Sequence, residues 1–271
     1  MSKITVSAME IKLHKMSTTL EEKVQYRLFN DSEEILMNSL LGKKISFIFS
    51  GKVQCASCKK YPKKLFAQGF CYDCFVSAPQ AADWIIHPEK SKAHLGIQDR
   101  DLDYEKSVQL KPHFVYLAVA SALKVGVTRG TQIPTRWIDQ GASYAIKLAE
   151  TPHRQLAGEI EVALKSHFTD KTNWRRMLKN EIADFDLEEE KWSVEELLPG
   201  DLAQYMSEDD SIVEINYPVL QFPEKVKSVG FDKLPNIEGT LLGIKGQYLL
   251  LDNDRVLNVR KHEGYFVDFE F

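Results

Sequence analysis

No run of this chain approaches the roughly 20 consecutive apolar residues that a helix needs to cross a bilayer, and no N-terminal stretch resembles a secretory leader. The apolar run Phe114 to Leu123 has the length of a strand. A membrane protein is therefore not expected, and the missing leader points to the cytoplasm. Acid is absent where base is dense. Between Ile35 and Tyr72 there is no Asp or Glu, while Lys43, Lys44, Lys52, Lys59, Lys60, Lys63 and Lys64 stand together. Such a cluster suits a polyanion, although a solvated lysine-rich face looks the same in a sequence.

What is present is the mix of a globular protein. The chain has 271 residues, 44% hydrophobic and 27% charged, enough for a full core and two or three modest domains. Its net charge of −4 is unevenly spread. Residues 111–180 hold 11 Lys and Arg against 5 Asp and Glu, whereas residues 181–271 hold 8 against 21.

All four cysteines form one unit: Cys55-Ala-Ser-Cys58, twelve residues, then Cys71-Tyr-Asp-Cys74. Two CxxC pairs at this distance point to one zinc ion bound by four thiolates. Redox catalysis by CxxC would need a βαβ setting that is lacking, and disulfides do not suit a cytosolic chain. Four thiolates fill the coordination sphere, so the zinc is expected to be structural. The amides of Ser57 and Lys59 are expected to face the sulfurs, and Gly69 to permit close approach before Cys71. Lys59, Lys60, Lys63 and Lys64 make the knuckle a candidate phosphate-docking surface. His87 and His94 could ligate a second metal, but no close carboxylate pair joins them, and exposed loop histidines fit better.

The pattern of elements predicts an α+β protein. Ile4, Val6 and Ala8, then Val24, Tyr26 and Leu28, alternate as in half-buried strands; Asn30-Asp31-Ser32 reads as a turn and Lys44 to Phe49 as another strand. This yields an N-terminal β segment (1–50), a zinc knuckle (51–80), a linker (81–112), a central domain (113–180), an acidic linker with one short helix (181–210) and a C-terminal β segment (211–271). The last is built from Ile212–Ile215, Gly239–Ile244, Gln247–Leu251 and Val256–Val259. Lys245-Gly246 and Asp252-Asn253 serve as its turns. It suggests a small barrel or curled sheet, or the completion of the N-terminal sheet.

The central domain opens with strands His113–Ala120 and Lys124–Val127, where Gly126 allows close approach of a phosphate or a backbone. Thr135 is a plausible N-cap for a helix on which Arg136 and Gln140, four apart, share a face. A second helix from about Pro152 to His167 buries Leu156, Ile160, Ala163, Leu164 and Phe168. Glu161 falls at the edge of that face and Glu159 toward water; Lys165 is available to pair with Glu161. Tyr116 carries the one titratable hydroxyl of its strand. Further on, Trp174 could stack a base while Arg175 and Arg176, with Arg129 upstream, take phosphates; Trp174 could equally close the core.

These residues carry two resemblances. The knuckle followed by Lys124-Val-Gly-Val-Thr-Arg129 and Arg136-Trp-Ile-Asp-Gln-Gly-Ala142 resembles a bacterial family of unknown function over roughly residues 45–180. Phe114-Val-Tyr116, Lys124-Val-Gly126, Arg136 with Gln140, and Glu161 resemble the GIY-YIG nuclease superfamily over about 65 residues. That likeness implies a small antiparallel sheet with helices that cuts phosphodiesters. Tyr116 would help deprotonate the nucleophile, Arg136 would neutralise the phosphate, and Glu161 would hold one Mg²⁺. Lys124 replaces the second signature tyrosine and Gln140 a frequent histidine, and both changes remove proton-transfer capacity. The expectation is a nucleic-acid-directed nuclease acting on DNA or RNA. The alternatives are a binding protein without catalysis, or a protein-interaction adaptor using the acidic region.

Overall fold

The structure, a computed structural model, describes residues 8–30, 33–168 and 173–271. Ile4, Val6, Asp31, Ser32 and residues 170–172 of the sequence reading lie outside them. In chain order the first strands are β1 (Ala8–Lys12), β2 (Ser17–Thr19), β3 (Gln25–Phe29), β4 (Glu34–Leu36) and β5 (Lys44–Val53). Helices α1 (Tyr72–Ser77) and α2 (Leu102–Gln109) precede β6 (His113–Val119), β7 (Leu123–Arg129), α3 (Thr135–Asp139), β8 (Tyr144–Thr151) and α4 (Arg154–Leu164). Then come α5 (Trp174–Leu178), α6 (Leu187–Glu195), α7 (Gly200–Ala203) and β9 (Val213–Glu214). The chain closes with β10 (Lys227–Val229), β11 (Asn236–Lys245), β12 (Tyr248–Leu251), β13 (Arg255–Asn258) and β14 (Tyr265–Glu270). By contact it divides into two compact units, Met1–Phe75 with Asn216–Phe271, and Val76–Ile215.

In the first unit, strands from both ends of the chain share a seven-stranded sheet, ordered β1-β14-β5-β11-β12-β13-β10, beside a small sheet β2-β3-β4. Period-two alternation buries Ile45 and Phe47 of β5 and Val267 and Phe269 of β14; the rings of Phe47 and Phe269 stack at 4.4 Å. The barrel-like closure read from the sequence is not found. A barrel requires its edge strands to pair, and three-residue β10, joined in parallel to β13, ends the sheet instead.

The second unit holds an antiparallel sheet ordered β7-β6-β8-β9. The strand expected at Ile212–Ile215 therefore belongs to this sheet, as β9, and not to the C-terminal one. Val115, Leu117 and Val119 of β6 face a core completed by Ile146 and Leu148 of β8, Ile160 and Leu164 of α4, and Val194 of α6. Alternation leaves Tyr116 for the other face, where its ring meets Trp137 of α3 edge-on at 6.0 Å.

Helix α4 lies against the turn Pro88–Lys90 so closely that a Cβ on Gly158 would sit 2.2 Å from the Glu89 amide nitrogen. Gly158→Ala is expected to cost about 3 kcal/mol, measured by urea unfolding. A cost near zero would mean that this approach is looser than described.

Both stretches read as linkers are packed. Residues 81–112 form short 3₁₀ turns and α2 around buried Trp84, Ala93 and Gln109. There the Glu105 carboxylate, 1% exposed, accepts the backbone N–H groups of Asp99, Arg100 and Asp101 at 2.7–3.0 Å. In 181–210 most acids are exposed, but Asp209 and Asp210 are anchored by lysines. Buried Lys191 donates to the carbonyls of Ser207 and Asp209 and to the Asp210 carboxylate at 2.5, 3.0 and 2.6 Å, and Lys147 pairs with Asp209 at 2.5 Å. Truncating Lys191 leaves three part-buried acceptors without their ammonium, so Lys191→Ala should destabilise the chain by about 3 kcal/mol in chemical denaturation. A neutral result would show that solvent replaces the ammonium.

Candidate functional site

Two clusters of chemistry-bearing side chains stand out, one in each unit. In the first, the ligand atoms of Cys55, Cys58, Cys71 and Cys74 all lie within 4.8 Å of one another, and no other group of three or more metal-ligating residues occurs among the described residues. The local chain explains the convergence. Cys71 donates its amide to the Cys55 sulfur at 3.3 Å, Ala56 donates to the Gly69 carbonyl at 2.8 Å, and Gly69 takes a φ of +80° beside the Glu263 carbonyl. Burial alone would push the Cys55 thiol up, but amides of Cys71, Cys58 and Ser57 aimed at its sulfur bring it down to about 6. The Cys74 amide pulls Cys71 down, yet burial and the neighbouring sulfurs outweigh it and push Cys71 up to about 12. The Ser57 amide thus faces sulfur as expected. The Lys59 amide does not, and donates to the Cys55 carbonyl at 3.2 Å.

Of the knuckle lysines, Lys59 bonds the Ala56 carbonyl at 2.6 Å and Lys64 sits 5.4 Å from the Phe66 ring; Lys60 and Lys63 are exposed. His87 is flanked by Asp83 and Glu89 at 3.7 and 3.5 Å, whereas His94 stacks on His153 at 4.7 Å.

In the second unit, the register pairs Tyr116 with Gly126 and Ala118 with Lys124, so Tyr116 and Lys124 project from one face of the sheet. Gly126 is what admits the phenol: a Cβ there would lie 2.7 Å from the Tyr116 hydroxyl. Gln140, at the end of α3, donates its amide to that hydroxyl, and the Arg136 charge acts on it as well. Thr135 is the first residue of α3 rather than its cap, which is Pro134.

Tyr116 is fully buried, and burial raises its hydroxyl above the usual range; Arg136 and Gln140 oppose the shift and the Glu161 charge adds to it. Burial, followed by the Arg136 charge, lowers the Lys124 amine to about 8, with Glu161 opposing. The charges of Arg136 and Glu161 bear on both Tyr116 and Lys124, and the side-chain carbonyl of Gln140 is buried without a hydrogen-bond partner. The lowering of Lys124 comes first from the water that burial strips from its amine.

A sixth member was not foreseen. Arg154 opens α4, where a cation opposes the helix dipole. It is held by the carbonyls of Trp84 and Ile85 at 3.2 and 2.7 Å. Burial lowers it to about 10, while the Glu161 charge acts in the other direction. Its unfavourable place in the helix was the one available signal. Glu159, expected to face water, is half-buried and accepts a bond from Gln155.

The remaining basic candidates lie elsewhere. Arg129 ends β7 opposite His113. Trp174 is half-buried with the Arg175 guanidinium 4.2 Å from its ring, and Arg176 pairs with Glu181 at 3.1 Å. Among the described residues no helix is long and apolar enough to cross a membrane.

Residues 42–267 match the family described as Protein of unknown function (DUF2797), and the chain belongs to it. The match runs well past the central segment into the C-terminal strands. Nothing among curated proteins and nothing among solved structures matches the chain.

Proposed function

We propose that this member of the DUF2797 family is a nucleic-acid-directed phosphodiesterase stapled by a structural zinc knuckle. One observation carries the catalytic half: Tyr116, Lys124, Arg136, Gln140 and Glu161, distant in sequence, share one electrostatic environment. The order β6, β7, α3, α4 keeps the strand–strand–helix–helix layout of the nuclease resemblance, with β8 added between the helices. The Arg136 cation beside a carboxylate suits a phosphodiester whose negative charge grows during cleavage. Arg136 takes that charge, Glu161 offers the carboxylate for Mg²⁺, and Lys124, ionising at about 8, takes the proton of the attacking water. Tyr116, held protonated by burial, serves as a hydrogen-bonding post rather than a base.

The zinc half rests on geometry. Zn–S bonds of about 2.3 Å in a tetrahedron set sulfurs about 3.8 Å apart; Cys58 and Cys71 are 3.7 Å apart, and four soft thiolates favour zinc over harder cations. A second reading, nucleic-acid binding without cleavage, draws on the complete burial of Tyr116. Labelled DNA and RNA oligonucleotides incubated with Mg²⁺ between pH 7 and 9 separate the two. Metal-dependent products support the enzyme, salt-sensitive binding without products leaves the second reading, and no binding at low salt removes both.

A further inference from the structure

The knuckle loop borders a hollow that the site above does not use. It lies in the first unit, measures about 280 Å³, and is lined among others by Lys12, His14, Phe29, Gln54, Tyr61 and Phe266. Large aromatic rings are normally buried, yet Tyr61 is 58% exposed and Phe29 42%. They come in pairs: Tyr61 lies 6.1 Å from Phe266, and Phe29 stacks with His14 at 6.3 Å and 12°. Positive charge is set against the rings. The Lys52 ammonium is 4.8 Å from the Tyr61 centroid and 4.4 Å from that of Phe266, and Lys12 is steered by the Gln54 side-chain carbonyl at 3.0 Å. Tyr61 belongs to the acid-free stretch that also carries exposed Lys59, Lys60, Lys63 and Lys64. Among the described residues, Glu10 is the one acid in the lining.

The geometry points to a binding site for a single-stranded nucleic acid, with an unpaired base seated against Tyr61, Phe266 and Phe29 and its backbone followed by Lys12, Lys52 and the knuckle lysines. Each ingredient has a separate reason. Bases stack on aromatic faces whatever their identity, and lysines neutralise the connecting phosphates. A hollow of this size admits a base turned out of a strand but not a base pair held inside a duplex. Neutral apolar ligands would not need the lysines, and an acidic peptide would leave the exposed ring faces unused. The inference rests on the nucleic-acid half of the reading above and is independent of the cleavage half.

The test uses the full chain and fluorescein-labelled oligothymidine, oligouridine and a duplex of equal length, followed by anisotropy without added Mg²⁺, so that no cutting intervenes and the knuckle metal is kept. Both single strands are expected to bind, more tightly than the duplex and with strong salt dependence. Tyr61→Ala and Phe29→Ala should each weaken binding about tenfold, with Tyr61→Phe near wild type and Glu10→Gln slightly tighter. A preference for one strand identifies DNA or RNA as the source. Absence of binding at low salt, equal or tighter binding of the duplex, or indifference to Tyr61→Ala and Phe29→Ala overturns the site. Retained binding without any cutting by the wild-type chain would count against the catalytic reading alone.

Discussion

A Cys71→Ser chain is expected to leave purification with almost no zinc and with its knuckle open to trypsin, where the proposal expects about one ion per wild-type chain. Cys71 is buried, its sulfur stands 3.7 Å from that of Cys58, and its amide holds the Cys55 sulfur. Serine removes one ligand of four and puts a poor hydroxyl donor in its place. Structural zinc in small peptide domains supplies on the order of 10 kcal/mol of binding that is also folding free energy. Little else ties the loop down: between Cys58 and Cys71 the buried residues are Gly69 and Phe70. Elemental analysis gives the stoichiometry, and trypsin cutting at Lys59, Lys60, Lys63 and Lys64 gives the consequence. Treating the wild type with a strong chelator should reproduce the digestion pattern. Unchanged protection in the metal-free chain would show that the sulfurs pack without an ion.

The second large effect concerns rate. Glu161→Gln is expected to lower Mg²⁺-dependent cleavage of a labelled oligonucleotide by about 10³-fold, since it removes the charge that holds the cation. Arg136→Ala should cost about 10²-fold through lost stabilisation of the phosphate. Lys124 predicts a shape as well as a size. A base must be unprotonated, so with the amine ionising at about 8 the rate should climb as pH rises through 8 and level off above it. Lys124→Met should flatten that climb and lower the plateau about 10²-fold, while Tyr116→Phe, which removes only a hydrogen-bonding post, should change the rate less and leave the pH profile alone. A profile unchanged in Lys124→Met would remove the lysine from proton transfer.

What could be read from the chain followed how local each cause is. The cysteine unit was legible because metal ligands keep fixed spacings within one loop. The elements that carry Tyr116 and Glu161 were legible because β6 and α4 each announce themselves by periodicity. Strand β8 was not, since Lys147 and Glu150 interrupt its apolar pattern; Lys147 is held by Asp209, far along the sequence. The same reason hid the packing of the two supposed linkers. Glu105 and Lys191 look like solvated charges until the backbone groups that receive them are in place. The ionisation of Lys124 was illegible for a related reason: residue type sets only the reference value, and the surrounding protein sets the rest.

The position of β5 has a consequence for how the chain is made. Both of its edges are taken by strands translated long after it, Phe47 lying opposite Ile237 of β11 on one side and Phe269 of β14 on the other. While Val76–Ile215, a continuous stretch, can fold as it leaves the ribosome, the apolar ribbon Ile45–Phe49 must wait unpaired. Such distant closure is slow, and an unclaimed edge invites the wrong partner. The lysines on either side of that ribbon, Lys43, Lys44 and Lys52, then act as gatekeepers during synthesis, keeping nascent chains apart until the last strand arrives.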